Sequence, residues 1–182
     1  MKNRIEHAVK QAFKIHNISR KDRCRDVSLI TGTLIASYVT KGYVLAIGNA
    51  VLPEYNLEYP FNPQNNSYHM WVYTGYYEIV DLAIDSIFER DDFKYTPSDG
   101  EITNVWKPIE KNVSMLKDPT ELLLRKLQPG NGVVYQPFDV GSWEEIGTHL
   151  ISMDVEDSKT LDQIYNTAER VYRECTYKDK KI

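Results

Sequence analysis

The stretch HMWVYTGYYEIVDLAI, residues 69–84, limits what this chain can fold into more than any other. Apolar and aromatic residues crowd both sides of Thr74-Gly75, the pattern of two strands joined by a tight turn. Asp81 lies inside the second apolar run, EIVDLAI. A carboxylate in such a setting is costly to bury unless it is paired or hydrogen-bonded. The fold must therefore bring a donor to Asp81.

The hairpin itself offers one. If an odd-length loop is centred on Gly75, opposed residues have numbers that sum to 150, so Tyr73 faces Tyr77, Trp71 faces Ile79 and His69 faces Asp81. Directly opposed residues project to the same face with Cβ atoms about 5 Å apart. A two-residue turn would shift the register by one and send His69 and Asp81 to opposite faces. A three- or five-residue loop, which Gly75 suits, keeps them together. Asp81 then accepts from one imidazole nitrogen, fixes the tautomer and leaves the other nitrogen to act as a base.

A partner for that base lies upstream, in RKDRCRDVSLI from Arg20 to Ile30. Val27, Ile30, Leu34 and Tyr38 recur at helical spacing, and Cys24 lies three residues before Val27, on the same stripe. Ser19 and Asp22 both suit the N-cap, and the helix is expected to reach about Thr40 with Gly42 as its stop. Cys24 thus falls near a helix N-terminus, where the backbone dipole favours an anion. Taken alone, a free cysteine is most often a small buried hydrophobe, which is how Cys175 reads. With His69 and Asp81 it completes the set of nucleophile, base and orienting acid that thiolate chemistry requires.

The remaining chain supplies a scaffold. Ile5, Ala8, Val9, Ala12 and Phe13 predict a helix over 2–16, and Tyr43–Leu52 reads as a buried strand. Pro53–Tyr68, rich in Pro and Asn, reads as a long loop. Short helices are expected to open at Asp118-Pro119 and at the Ser142–Glu145 capping box, and a final helix over Ser158–Cys175. Helices, then strands, then helices make the fold class α+β. A length of 182 residues suits one domain, 1–182, with a core at about 15–85 and a C-terminal elaboration over 86–182.

Composition narrows the function class. A formal net charge of −4 with mixed charges argues against a nucleic-acid partner. No apolar run approaches the length of a membrane span, and the polar, amphipathic start lacks a signal-peptide core. Two cysteines in such a chain point to a reducing, cytoplasmic setting without a disulfide. Close-spaced ligand pairs are absent from the sequence, so neither a metal nor another cofactor is expected.

The segments CRDVSLITGTLIASYVTKGY and HMWVYTGYYEIVDLAID resemble the catalytic core of the transglutaminase-like branch of the papain-like cysteine enzymes. Members of that branch start a helix with a Cys-Arg-Asp-like sequence, place a Gly before a strand, and carry His-x-Trp-Val and then Asp on successive strands. The resemblance covers about residues 15–85. It implies a helix carrying Cys24 packed on an antiparallel sheet carrying His69 and Asp81, with roles of nucleophile, base and orienting acid in that order. It further implies a thiol hydrolase or acyltransferase acting on an amide, peptide or isopeptide bond of a peptide, protein or small amide. The alternative is an inactive relative that binds a peptide or protein in the same cleft. Around this triad, the Cys24 backbone N–H and the Asn17 side chain are the expected oxyanion donors. Trp71 and Tyr73, on the His69 face, are the expected lining of an acyl pocket.

Overall fold

The first helix, α1 (Lys2–Ile15), buries the expected stripe of Ile5, Ala8, Val9, Ala12 and Phe13. It closes in a Schellman motif: Ile18 N–H bonds the Phe13 carbonyl and Asn17 N–H bonds the Lys14 carbonyl, both at 3.0 Å. Asn17 takes the left-handed conformation this motif needs, with φ 54°. The computed structural model describes residues 1–39, 42–59, 68–89, 105–109, 132–137 and 155–178. The short helices expected at Asp118 and Ser142 lie outside these residues.

The second helix, α2 (Cys24–Tyr38), starts at the cysteine itself. Neither expected cap is used. Arg23 occupies the N-cap position without a side-chain bond, Asp22 is left-handed with φ 58°, and the Ser19 hydroxyl instead accepts from Lys21 N–H. The helix ends at Tyr38, short of Thr40, with Val39 as its C-cap.

The sheet is antiparallel and is built around the ten-residue strand β1 (Tyr43–Leu52). Six of its residues pair with β3 (His69–Thr74), from Tyr43↔Thr74 to Gly48↔His69. The region expected as a single loop contains structure: a 3₁₀ turn over Pro53–Tyr55 and a short strand, β2 (Leu57–Tyr59), which folds back onto the end of β1. Asn56, left-handed at φ 50°, makes that reversal. Beyond β3 come β4 (Glu78–Asp81) and β5 (Val105–Pro108), while β6 (Val134–Pro137) pairs with β1 from Gly48 to Val51.

The period of two in the strands divides the interior into two cores. Val72 and Val80 face α1, α2 and the last helix, α3 (Val155–Lys178), whose 24 residues extend past both expected ends. Trp71, Tyr73 and Ile79 face the other way, into a core shared with Ala46, Ala50, Val133 and Tyr135. The helices are held to one another by polar ties at their margins. His16 Nε2 lies 2.8 Å from the Thr167 hydroxyl, and Tyr38 donates to Glu169 while accepting from Arg173.

The second core exists because the sheet curls. Ala46, Gly48 and Ala50 occupy alternate positions of β1, opposite Trp71, His69 and Tyr135 respectively. Small side chains here let bulky partners fold over the strand. At Gly48 the approach is closest: an added Cβ would lie 2.2 Å from the Gln136 carbonyl oxygen. Replacing Gly48 with Ala must push β6 away from β1, and overpacking of this kind costs about 1–3 kcal/mol. The expected result is a lower urea midpoint for Gly48→Ala at unchanged slope. Gly42→Ala, where an added Cβ meets nothing within 4 Å, should leave the midpoint close to wild type.

Candidate active site

The hairpin keeps the predicted parity but not the predicted register. Val72 opposes Val80 and Tyr73 opposes Ile79, so paired numbers sum to 152 rather than 150. The loop is three residues, Gly75–Tyr77, closed by a bond from Tyr77 N–H to the Thr74 carbonyl at 2.9 Å. The left-handed residue is Tyr77, with φ 56°, and not the glycine. A turn followed by one left-handed residue is a usual three-residue hairpin, and it centres the loop on Tyr76. This corrects the expected facing of His69 and Asp81: extending the register puts Asp81 across from Trp71, diagonal to His69. A diagonal pair on one face remains within reach of long side chains.

The reach is used. His69 Nε2 and Asp81 Oδ2 lie 2.7 Å apart, and both residues are fully buried. Two further donors complete the carboxylate. The Ala83 backbone N–H bonds Oδ1 at 3.0 Å, and the Tyr135 hydroxyl bonds Oδ2 at 2.8 Å. Each donor comes from a different part of the chain: β3, the residues just after β4, and β6. Sequence reasoning missed Tyr135. Its neighbourhood, GNGVVYQP, carries the apolar run of a short strand, and the small alternate residues of β1 are the sign that another strand closes over them.

Cys24 arrives from the helical side. Its thiol donates to the Tyr68 carbonyl at 3.5 Å and also interacts with the His69 ring. His69 belongs to the odd set that faces away from α2, but it is the first residue of β3, so Cys24 meets it around the strand's end. Nε2 is committed to Asp81, and Nδ1 is buried with no hydrogen bond of ordinary geometry among the described residues. Cys24 is half-buried, and both it and Tyr68 pack against Ile47 and Met70. Ser28, one helical turn on, sends its hydroxyl to the Met70 carbonyl at 2.8 Å and fixes α2 against β3. That residue too was not singled out in the sequence, although its place four residues after Cys24 puts it on the same face.

Charge around Cys24 is organised by Asp26. This nearly buried carboxylate bonds Arg23 Nη1 at 3.0 Å and Arg25 Nε at 3.1 Å, drawing both neighbouring guanidinium groups to one point. Arg20, in the turn before α2, grips the residues that follow Asp81. It donates to the Leu82 carbonyl at 2.7 Å and to both oxygens of Asp85, at 2.8 and 2.9 Å.

The other expected site residues are placed differently. Asn17 is exposed at the end of α1, where its backbone closes the Schellman motif, and among the described residues no contact joins it to Cys24. Trp71 and Tyr73 have no exposed surface. The correction follows from their face: odd residues of β3 point into the closed core, so these rings support His69 instead of lining an open pocket. The Trp71 ring lies 6.1 Å from His69 and 5.0 Å from Tyr135, centroid to centroid. Among the described residues no group of three or more His, Cys, Asp or Glu side chains is placed to hold a metal ion. Among them, too, no helix is long and apolar enough to cross a membrane.

Burial alone would lower the His69 pKa, but the Asp81 carboxylate, helped by Cys24, outweighs it and raises the value from 6.5 to about 10. A folded-state pKa above the unfolded one stabilises the protein fully below the unfolded value, and that contribution disappears as pH rises through the folded one. Stability should therefore fall between pH 6.5 and about 10, where the unfolded chain has released this proton and folded His69 still holds it. Urea midpoints measured across this window should decline in wild type and decline less in His69→Gln. Equal slopes in the two proteins would exclude His69 as the source.

No known family model matches the chain, and neither does any curated protein. Among solved structures, the crystal structure of genomics target APC5867 is similar, with a TM-score of 0.50 at 14% identity over 91% of this chain and 76% of that one. At this identity the likeness concerns the fold, an α+β arrangement of helices on a curled antiparallel sheet.

Proposed function

We propose that the protein is a thiol hydrolase or acyltransferase with a papain-like, transglutaminase-like core, acting on an amide, peptide or isopeptide bond through Cys24, His69 and Asp81. The observation that carries this reading is the buried His69–Asp81 pair, 2.7 Å apart, with Cys24 close enough to interact with the ring. Nucleophile, base and orienting group come together in the order that thiol acyl transfer needs.

In the reaction, the thiol proton first passes to His69 Nδ1, and the resulting Cys24 thiolate attacks the substrate carbonyl carbon. The carbonyl oxygen becomes an oxyanion beside the start of α2, where the Cys24 backbone N–H has no partner within the helix and serves as a donor. The His69 N–H then protonates the leaving amine nitrogen, the C–N bond breaks, and a thioester remains on Cys24. Water or a second amine attacks this acyl-enzyme and gives its proton to Nδ1. The thiol leaves and recovers a proton from the ring. Throughout, Asp81 holds the imidazole orientation and balances the imidazolium charge without itself taking the proton.

The reading makes Cys24 the reactive thiol of the two. Iodoacetamide near neutral pH should label Cys24 about tenfold faster than Cys175 in the folded protein, since the thiolate is the reacting species and His69 favours it. On an activated acyl substrate, Cys24→Ala should lose roughly a thousandfold or more in turnover. Equal labelling of the two cysteines, or retained turnover in Cys24→Ala, would remove the thiol from the chemistry and leave a peptide-binding role.

A further inference from the structure

We propose that Tyr135 is a positioning residue for this site: its hydroxyl shares Asp81 Oδ2 with the His69 ring and so limits how strongly the carboxylate holds the imidazolium. The proposal rests on the thiol-enzyme reading for its purpose, but the coupling it describes does not depend on turnover.

The geometry is specific. Tyr135 is brought to the site by β6, where it pairs with Ala50 of β1, and the small Ala50 side chain leaves room for the phenol to lie over the strand. The ring is fully buried and packs against Trp71 at 5.0 Å, so it has no solvent to turn toward. Its hydroxyl donates to Oδ2 at 2.8 Å, the same oxygen that meets His69 Nε2 at 2.7 Å. Burial first, and then Asp81, push the Tyr135 phenol far above its ordinary range, which keeps it a neutral donor.

Two donors on one oxygen compete. The hydroxyl draws charge from Oδ2 and directs the positive end of its own dipole toward the region of the imidazolium. Both effects weaken the hold of Asp81 on a protonated ring. A histidine held too firmly as imidazolium is a poor donor to a leaving amine and a poor base toward the next nucleophile, since proton transfer is most efficient when the group titrates near the working pH. Tyr135 thus tempers a pair that the Asp81 charge would otherwise lock. The ionisable groups around the ring are Asp81 from β4, Cys24 from α2 and Tyr135 from β6, with Tyr73 of β3 beside Tyr135. Tyr68 in turn interacts electrostatically with Cys24, Arg25 and Asp26.

The decisive comparison is Tyr135→Phe against Tyr73→Phe. Each variant removes one hydroxyl from the same buried core, but among the described residues the Tyr73 hydroxyl makes no bond to Asp81. Titration of the His69 ring by NMR should show its midpoint rising by roughly half a pH unit in Tyr135→Phe and staying at the wild-type value in Tyr73→Phe. The pH profile of Cys24 alkylation should move in the same sense. An unchanged or lowered His69 midpoint in a folded Tyr135→Phe protein overturns the proposal, as does an equal rise in both variants. Should Tyr135→Phe fail to fold, the wild-type protein still answers. A slowly exchanging Tyr135 hydroxyl proton, with a nuclear Overhauser contact to the His69 Nε2 proton, supports the shared oxygen, and a hydroxyl in fast exchange with water refutes it. If Cys24 labels no faster than Cys175 while the His69 midpoint still rises, the thiol-enzyme reading fails and the Tyr135 coupling stands.

Discussion

A single carboxylate, fully buried, sets the terms for this fold. Asp81 lies in a core of aromatic and aliphatic side chains, where an ionised group survives only with donors on both oxygens. The donors come from β3, from the chain immediately after β4, and from β6. Satisfying Asp81 therefore requires the hairpin parity, the turn after Asp81 and the curl of the sheet at the same time. A partly satisfied polar network inside a protein is worse than none, so these three features stand or fall together.

A second clamp joins the helix that carries Cys24 to this network. Arg20 lies in the short connection between α1 and α2, four residues before Cys24, and its bidentate contact with Asp85 holds the segment that presents the Ala83 N–H to Asp81. Planar pairs of this kind fix direction as well as distance. The start of the cysteine helix and the far side of the carboxylate are thus anchored by one side chain. On the other flank, Ser28 and Cys24 seize the carbonyls of Met70 and Tyr68, so α2 is pinned to the strand that carries the histidine.

Much of this was readable from the residues. The stripes of α1 and α2, the buried β1 and the α+β class follow from periodicity, and the shared face of His69 and Asp81 follows from parity alone. The exact pairing does not, because it turns on which loop residue goes left-handed. Tyr77 does so in place of Gly75, at a local cost repaid by the core contacts of the strands. Helix capping departs for a related reason: Ser19 and Asp22 have capping chemistry, but the turn closed on the Arg20 carbonyl starts the helix one residue later than an Asp22 cap would and four later than a Ser19 cap would. The substrate-lining role expected of Trp71 and Tyr73 ignored what lies on the far side of the sheet. Tyr135 was the hardest to see, since nothing local to β6 announces that its one tyrosine will meet a carboxylate more than fifty residues away. The alternation of Ala46, Gly48 and Ala50 was the usable clue, a strand stripped of bulk on one face.

The paired bonds from Cys24 and Ser28 to Tyr68 and Met70 work as a vernier. Four residues of helix advance about 6 Å and two residues of strand about 6.7 Å, so the two scales nearly coincide at this interval. Moving α2 by a single residue would turn both side chains by about 100° off the strand and break both bonds together. The sulfur's position is consequently read off the same strand that bears the imidazole. Both anchors are main-chain carbonyls, so the thiol keeps its address whichever side chains positions 68 and 70 carry.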